Sequence, residues 1–342
     1  MAEARWRAAA AALVPRLRTT SRKGSSGRVC VVGGSEEYAG APFLVRPETP
    51  AGDLGRETSG GRRRRAAPAA SLTARHHSCA HQAAMSAMRT GADLVHVICP
   101  PAAAAVIKAY SPDLIVRPCE FGGASRAWGG WIRRSSAVVI GPGLGRSEAA
   151  RCAVETALGV AREEGLPVVV DADALYFVSG SPELVRGHRR CILTPNHNEL
   201  RRLGDAVRGG PGPAPELREV CAALGATVLQ KDAVDRIGDG EGREASCAEA
   251  GCPRRCGGQG DILAGAVATF ASWACEGRGG AEAVDLVAAC YGGALLTRES
   301  SAAGYGKHGR SMVASDILPE VGPCFARLFP EGEGEELEGG AS

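Results

Sequence analysis

Aromatic residues are scarce in this chain, with four Trp, five Tyr and six Phe among 342 residues. Long apolar runs are missing too. Runs such as Ala8 to Val14 and Leu166 to Val170 are far short of the ~20 residues a membrane-crossing helix needs, so no membrane partner is expected. Neither sign of charge dominates. Forty Lys and Arg against 38 Asp and Glu leave +2, which makes nucleic acid a poor default partner. The thirteen cysteines form no CxxC and no even, regular framework; this pattern excludes a small disulfide scaffold and reads as reduced thiols in an intracellular protein. What remains is 44% hydrophobic and 23% charged, with 47 Gly, a composition that excludes a wholly disordered chain, a coiled coil or a collagen-like fibre. Many glycines with few aromatics suit elements that approach closely and loops with left-handed turns.

Short runs rich in β-branched residues recur along the chain: Arg28 to Val32, Leu94 to Ile98, Leu114 to Val116, Ala137 to Ile140, Val168 to Val170, Cys191 to Leu193 and Thr227 to Gln230. Their apolar character is continuous rather than alternating, which predicts strands covered on both faces. Helix-like stretches lie between and after them, at Ala102 to Lys108, Glu148 to Glu164, Pro215 to Leu224, Ile262 to Cys275 and Ala281 to Arg298. Alternation of this kind predicts an α/β fold with a mainly parallel central sheet and helices on both faces. Ligands in such sheets sit outside the carboxyl ends of the strands.

One segment interrupts this order. Val45 to Gln82 contains no Ile, Met, Phe, Tyr or Trp, and carries seven Arg, four of them at Arg62 to Arg65, against three acids. It is expected to be disordered, because it buries too little apolar surface to offset the entropy of ordering. His76, His77, Cys79 and His81 look like metal ligands, but a low-complexity stretch is the stronger reading, since a real site needs a fixed, deprotonated constellation. The acidic tail, residues 331–342, is also expected to be unstructured.

The chemistry-bearing motifs fall at predicted strand ends. In GGQGDILAG, Gly257 to Gly265, glycines precede an apolar helix, so backbone N–H groups can face an anion at a positive dipole end. Asp261 at that junction serves either as a helix cap or as a general base taking a hydroxyl proton during phosphoryl transfer. Arg254 and Arg255 just upstream match phosphate oxygens. GPGLGR, Gly141 to Arg146, is a tight turn or a close backbone approach to a ligand. DADAL, Asp171 to Leu175, can orient a magnesium–water shell or cap a turn. In LTPNHNEL, Asn196 and Glu199 stand three apart, suited to a metal-bound water or to a reciprocal cap. QKDAVD offers Lys231 to a phosphate. Each is weak alone; together they describe a nucleotide-dependent small-molecule site.

Taken in order, GRVCVVGGSEEYAGAPF, GADLVHVICPPAAAAVIKAYSPDLIV, VVIGPGLGR, PVVVDADAL, LTPNHNELRRL, RRCGGQGDILAG and SMVASDILPEV resemble the ATP-dependent NAD(P)H-hydrate dehydratases, a ribokinase-like family. The likeness spans a single domain, residues 13–328, apart from 45–82. It implies ATP-driven dehydration of the S epimer of hydrated NADH or NADPH (NADHX, NADPHX), through phosphorylation of the C6 hydroxyl and loss of phosphate. Asp261 is then the base and also contacts the substrate, together with Gly143, Asn196, His197, Asn198, Glu199, Leu200, Arg201 and Arg202. ATP contacts fall on Lys231, Asp232, Ala233, Val234 and Asp235, and on Gly251, Cys252, Pro253, Arg254, Arg255, Cys256, Gly257, Gly258, Gln259 and Gly260. Mg2+ is expected with ATP, without a protein ligand assigned. Asp232 departs from the family's usual Gly, and a carboxylate there must turn outward from a triphosphate. A ribokinase-like kinase of a small alcohol or vitamin precursor is the alternative. Oligomeric state is left open, homo-oligomer included.

Removing 45–82 joins Leu44 to Ala83 and restores the family-like run GAPFLAAMSAMRTGADLVHV. A retained intron accounts for this: Val45-Arg46 is encodable with a splice donor, and Gln82 with a splice acceptor. Residues 1–12 are Arg- and Ala-rich and read as a leader, which gives mitochondrion or cytoplasm as the expected location.

Overall fold

The computed structural model describes residues 2–35, 70–122, 128–276 and 284–330. Nine strands form one sheet in the order β3-β2-β1-β4-β5-β6-β7-β8-β9. In chain order the elements are α1 (Ala2–Ala11), β1 (Arg28–Val32), α2 (Ala70–Thr90), β2 (Leu94–Cys99), α3 (Pro101–Tyr110), β3 (Ile115–Pro118), α4 (Gly129–Ile132), β4 (Ala137–Ile140), α5 (Glu148–Glu163) and β5 (Val168–Val170). They continue with α6 (Asp173–Gly180), β6 (Cys191–Leu193), α7 (His197–Arg208), α8 (Leu217–Leu224), β7 (Thr227–Gln230), β8 (Asp235–Gly238), β9 (Glu244–Cys247), α9 (Gln259–Cys275), α10 (Leu286–His308) and α11 (Ala314–Leu328).

The first seven strands pair in parallel, as expected; β8 and β9 add an antiparallel edge. The continuous apolar strands feed two cores. Val29, Val31, Val139, Val169 and Ile192 face one shared with α2, α9, α10 and α11, while Cys30, Val32, Val138, Val168 and Leu193 face one shared with α5 to α8. The chain runs from β1 outward through β2 and β3, then returns to place β4 on the other side of β1. That reversal is the switch point where such sheets open a crevice. Among the described residues no helix is long and apolar enough to cross a membrane.

One expectation changes. Ala70 to Gln82, expected to be disordered with the rest of 45–82, forms the first half of α2, and Ala80 is fully buried against α9 and its neighbours. Averaging composition over the whole segment hid a helix-compatible end; residues 36–69, including the four-Arg run, lie outside the described residues, as does the tail 331–342. The stretch read as a leader forms α1, whose Trp6 and Ala10 are buried and whose Arg7 pairs with Glu249 at 2.8 Å.

Candidate active site

The polypeptide turns sharply into α9 at Gly258, whose φ of +99° suits glycine. A Cβ there would also meet the Ala314 Cβ at 2.7 Å and crowd the Gln82 carboxamide of α2, which adds to the preference for glycine. Asp261, three residues on in the first turn of α9, has its side chain hydrogen-bonded with the Cys79 thiol. Its carboxyl is only 6% exposed. Burial, reinforced by the nearby charge of Asp171, pushes it up to about 7, against the opposing effects of the Cys79 thiol hydrogen bond and the Lys231 ammonium. A carboxyl poised near neutrality at a helix N-terminus suits a general base.

Asp171 is held beside it by strained backbone. Ala172 has φ +49°, the one positive value for a non-glycine among the described residues, a conformation costing about 1–3 kcal/mol. The turn sends its two flanking carboxylates to different partners. Asp171, 1% exposed, accepts from Thr194 Oγ1 at 2.8 Å and from Lys231 Nζ at 2.7 Å. Asp173 accepts from the Gly145 amide at 2.9 Å and Arg146 Nε at 3.3 Å, binding the GPGLGR turn, with Gly143 in it, to the DADAL turn. Burial alone would lower the Lys231 pKa, but Asp171, Glu199 and Asp261 outweigh it and hold the ammonium above its ordinary value. Lys231 reaches this place because its amide donates to the Pro195 carbonyl at 2.9 Å, continuing the β6–β7 pairing to Asn196.

A cleft of about 710 Å³ opens here, lined by Asn196 to Asn198, Lys231 to Ala233, Asp235, Gly251 to Pro253, Arg255, Gln259 and Gly260. Most residues expected at ATP therefore converge. Val234 does not: it is 40% exposed and outside the lining. Arg254 turns away and donates from Nε to the Met312 carbonyl at 2.9 Å. Cys256, Gly257 and Gly258 shape the turn rather than the lining. Asp232 is exposed at the rim of this cleft, and its Oδ1 accepts from the Ala233 amide at 2.7 Å.

The residues expected at the substrate split up. Asn196, His197 and Asn198 share the cleft just described. Glu199 closes a capping box: Asn196 Oδ1 accepts from the Glu199 amide at 3.0 Å, while Glu199 Oε2 accepts from the Asn196 amide at 2.8 Å. Leu200 is corrected from a contact to a core residue, since the apolar stripe of α7 buries it. Arg201 is exposed and lines neither this cleft nor the next; Arg202 lines a second cavity.

Sequence reading missed Arg298 as a site residue. Its Nε lies 2.7 Å from Asp235 Oδ2, and its other nitrogens donate to the carbonyls of Ala233, Asp232 and Glu249 at 2.8–3.0 Å. One guanidinium thus staples the two loops expected at ATP. Cys79 and Gln82 were missed because the composition of their segment argued for disorder. Cys79 lies against Asp261 and His81 against the Tyr110 ring at 5.2 Å, so these two members of the His/Cys cluster face different partners. Among the described residues no group of three His, Cys, Asp or Glu could hold a metal ion.

A mainly parallel sheet with a buried carboxylate beside a glycine turn sets this chain among proteins of ribokinase-like fold. It is similar in fold to a ribokinase-like superfamily protein from Enterococcus faecalis (TM-score 0.69, 18% identity, 95% of each chain covered). The ADP/ATP-dependent NAD(P)H-hydrate dehydratase of Bacillus subtilis, co-crystallised with ATP/Mg2+, is also similar (TM-score 0.62, 18% identity, 94% of this chain and 97% of that one). Residues 75–321 match the family profile described as NAD(P)H-hydrate dehydratase. Proteins named ATP-dependent (S)-NAD(P)H-hydrate dehydratase share 42% identity in Ixodes scapularis, with 93% of each chain covered, and 38% in Homo sapiens, with 93% of this chain and 82% of that one. The chain belongs to the NAD(P)H-hydrate dehydratase family.

Proposed function

We propose that this enzyme uses ATP to dehydrate the S epimer of hydrated NADH and NADPH. The observation that carries the reading is the buried Asp261 carboxyl, raised to about 7 beside Asp171 and Lys231 and next in the chain to Gly260, which lines a nucleotide-sized cleft together with Lys231. Hydroxide leaves a carbon badly, whereas phosphate leaves well. Asp261 takes the proton of the C6 hydroxyl as that oxygen attacks the γ-phosphorus of ATP and ADP departs. The ring-nitrogen lone pair then expels phosphate from C6, and loss of a C5 proton restores the dihydropyridine.

Lys231 and the free amides at the start of α9 face the phosphoryl group, where preorganised donors contribute most. Asp171 fixes Lys231 and raises the basicity of Asp261. ATP occupies the cleft between the 231–235 and 251–260 loops, held apart at a set distance by Arg298. Magnesium would bring charge neutralisation to the triphosphate. The described carboxylates do not make a protein cage for it, since Asp171 is committed to Lys231 and Thr194 and Glu199 to its cap, so phosphate oxygens and water would be its ligands.

The test is direct. The protein is incubated with S-hydrate, ATP and magnesium, and the reduced-nicotinamide absorbance is followed; its recovery, with one ADP per ring restored, is expected. A stable phosphorylated product would favour a small-alcohol kinase instead.

A further inference from the structure

A second cavity, about 690 Å³, lies between the start of α5, the α6 helix and the middle of α7. It is unlike the first. Its walls carry three guanidinium groups, Arg146, Arg151 and Arg202, beside an aromatic pair, Tyr176 and Phe177, whose rings meet at 5.5 Å. Tyr176 is 45% exposed, in a chain whose aromatics are few and mostly buried. The Arg146 guanidinium already lies over its ring at 4.5 Å. The acids in the wall are Glu148 and Asp205; Asp205 is engaged by Arg208 at 3.0 Å, Arg151 by Glu155 at 2.9 Å and Arg146 by Asp173 at 3.3 Å, so Arg202 is the guanidinium of the wall with no ion pair among the described residues.

The position matters as much as the charge. Arg202 stands four residues after Asn198, one turn of helix α7, and Asn198 lines the first cleft. Arg146 belongs to the Gly143 turn and is bonded to Asp173, two residues from Asp171 in the catalytic cluster. The two cavities thus flank the same turn of α7 and the same strained DADAL bend. ATP fills one of them. A hydrated nicotinamide dinucleotide has a second nucleotide half, which must leave the reacting ring in another direction.

We propose that this second cavity binds the adenosine half of the dinucleotide substrate, with adenine on Tyr176 and its ribose phosphates among Arg146, Arg151 and Arg202. This rests on the dehydratase reading for its ligand, but not for its detection. A volume of this size suits a nucleotide, aromatic rings give a stacking face, and guanidinium groups pair with phosphate oxygens bidentately. The 2′-phosphate of NADPHX would add an anion within reach of Arg202, the unpaired guanidinium of the wall, so NADPHX should bind more tightly than NADHX.

Two measurements on Tyr176→Ala and Arg151→Ala decide it. The first compares S-hydrated NADPH with the S-hydrate of reduced nicotinamide mononucleotide, which lacks the adenosine half. KM for the dinucleotide should rise about tenfold with kcat unchanged, while both constants for the mononucleotide stay put. Equal effects on the two substrates, or none on either, would overturn the assignment. The second measures binding of adenosine 2′,5′-bisphosphate to the full chain with the first cleft saturated by Mg·ADP. Wild type should bind it and each variant should lose about tenfold in affinity. Absence of binding, or affinity indifferent to both substitutions, would overturn the assignment even if dehydration is observed; variant-sensitive binding without dehydration would uphold the cavity and sink the catalytic reading instead.

Discussion

The two walls that meet at Asp261 are built differently. On the β7–α9 side the buried polar groups are paired: Asp235 with Arg298, Asn196 with Glu199 in a reciprocal cap, and Asp171 with Lys231. On the β1–α2 side three buried polar atoms, Ser35 Oγ, His81 Nε2 and Gln82 Oε1, have no hydrogen-bond partner among the described residues. Buried groups are normally satisfied, at a cost of about 1–3 kcal/mol when they are not. The comparison separates a wall whose buried polar groups are paired from one that keeps unpartnered buried polar atoms beside Asp261. A nucleotide cradle gains from being rigid, because preorganised donors act on the transferring phosphoryl without rearranging.

The largest effect should come from the carboxyl between the walls. Asp261→Asn is expected to lower kcat by about 10²–10⁴, the range for a general base, while ATP binding by calorimetry stays within a few-fold. The same variant sharpens the pH argument. The folded-state pKa of Asp261 is raised, so its contribution to stability is present at low pH and lost as pH rises through about 7. Asp261→Asn should therefore melt higher than wild type at pH 8, by on the order of 2 kcal/mol, and show little gain at pH 4.

Next in size is Lys231→Met, which removes a donor from the phosphoryl path and a cation from the base. It should cut kcat/KM for ATP by about 10²-fold and move the acidic limb of the pH profile upward from about 7. Asp171→Asn should move that limb downward, since Asp171 raises Asp261. On the paired wall, Arg298→Ala leaves Asp235 buried without its cation; a loss of about 2–3 kcal/mol in urea melts and a raised KM for ATP are expected. The smallest effect falls on the wall with unpartnered atoms. Gln82→Ala should leave stability within about 1 kcal/mol, because it deletes an unsatisfied atom, yet raise the KM of the hydrate and not that of ATP. Reversal of that pattern would break the contrast between the walls. Joining Leu44 to Ala83 tests the insertion on the same ground: an active shorter chain is expected, and a folded but inactive one would show that Cys79 to Gln82 are required.

The seven parallel strands were legible because double-sided burial writes an unbroken apolar run, and α9 was legible for the same reason. Other elements were hidden by local composition. β8 and β9, reading DRIG and EASC, bury one face each at a sheet edge and carry charge on the other. α11 contains Pro319 and Pro323, which argue against a helix until tertiary packing of Ile317, Val321 and Cys324 overrides them. Within the site, motif residues could be seen because glycine and carboxylate cluster at strand ends. The bond between Asp171 and Lys231 joins residues 60 apart, and Arg298 lies in a helix otherwise read as core. Nothing local in the chain announces either; they follow only from the order in which the strands are laid side by side.

One assay bears on the base most directly: single-turnover recovery of reduced-nicotinamide absorbance from S-hydrate and Mg·ATP, wild type against Asp261→Asn, across pH 5–9. A wild-type rate that climbs through about pH 7 and an Asn variant that binds ATP but scarcely reacts are the predicted results. An Asn variant within tenfold of wild type, with the same pH profile, would contradict the assignment of Asp261 as the base.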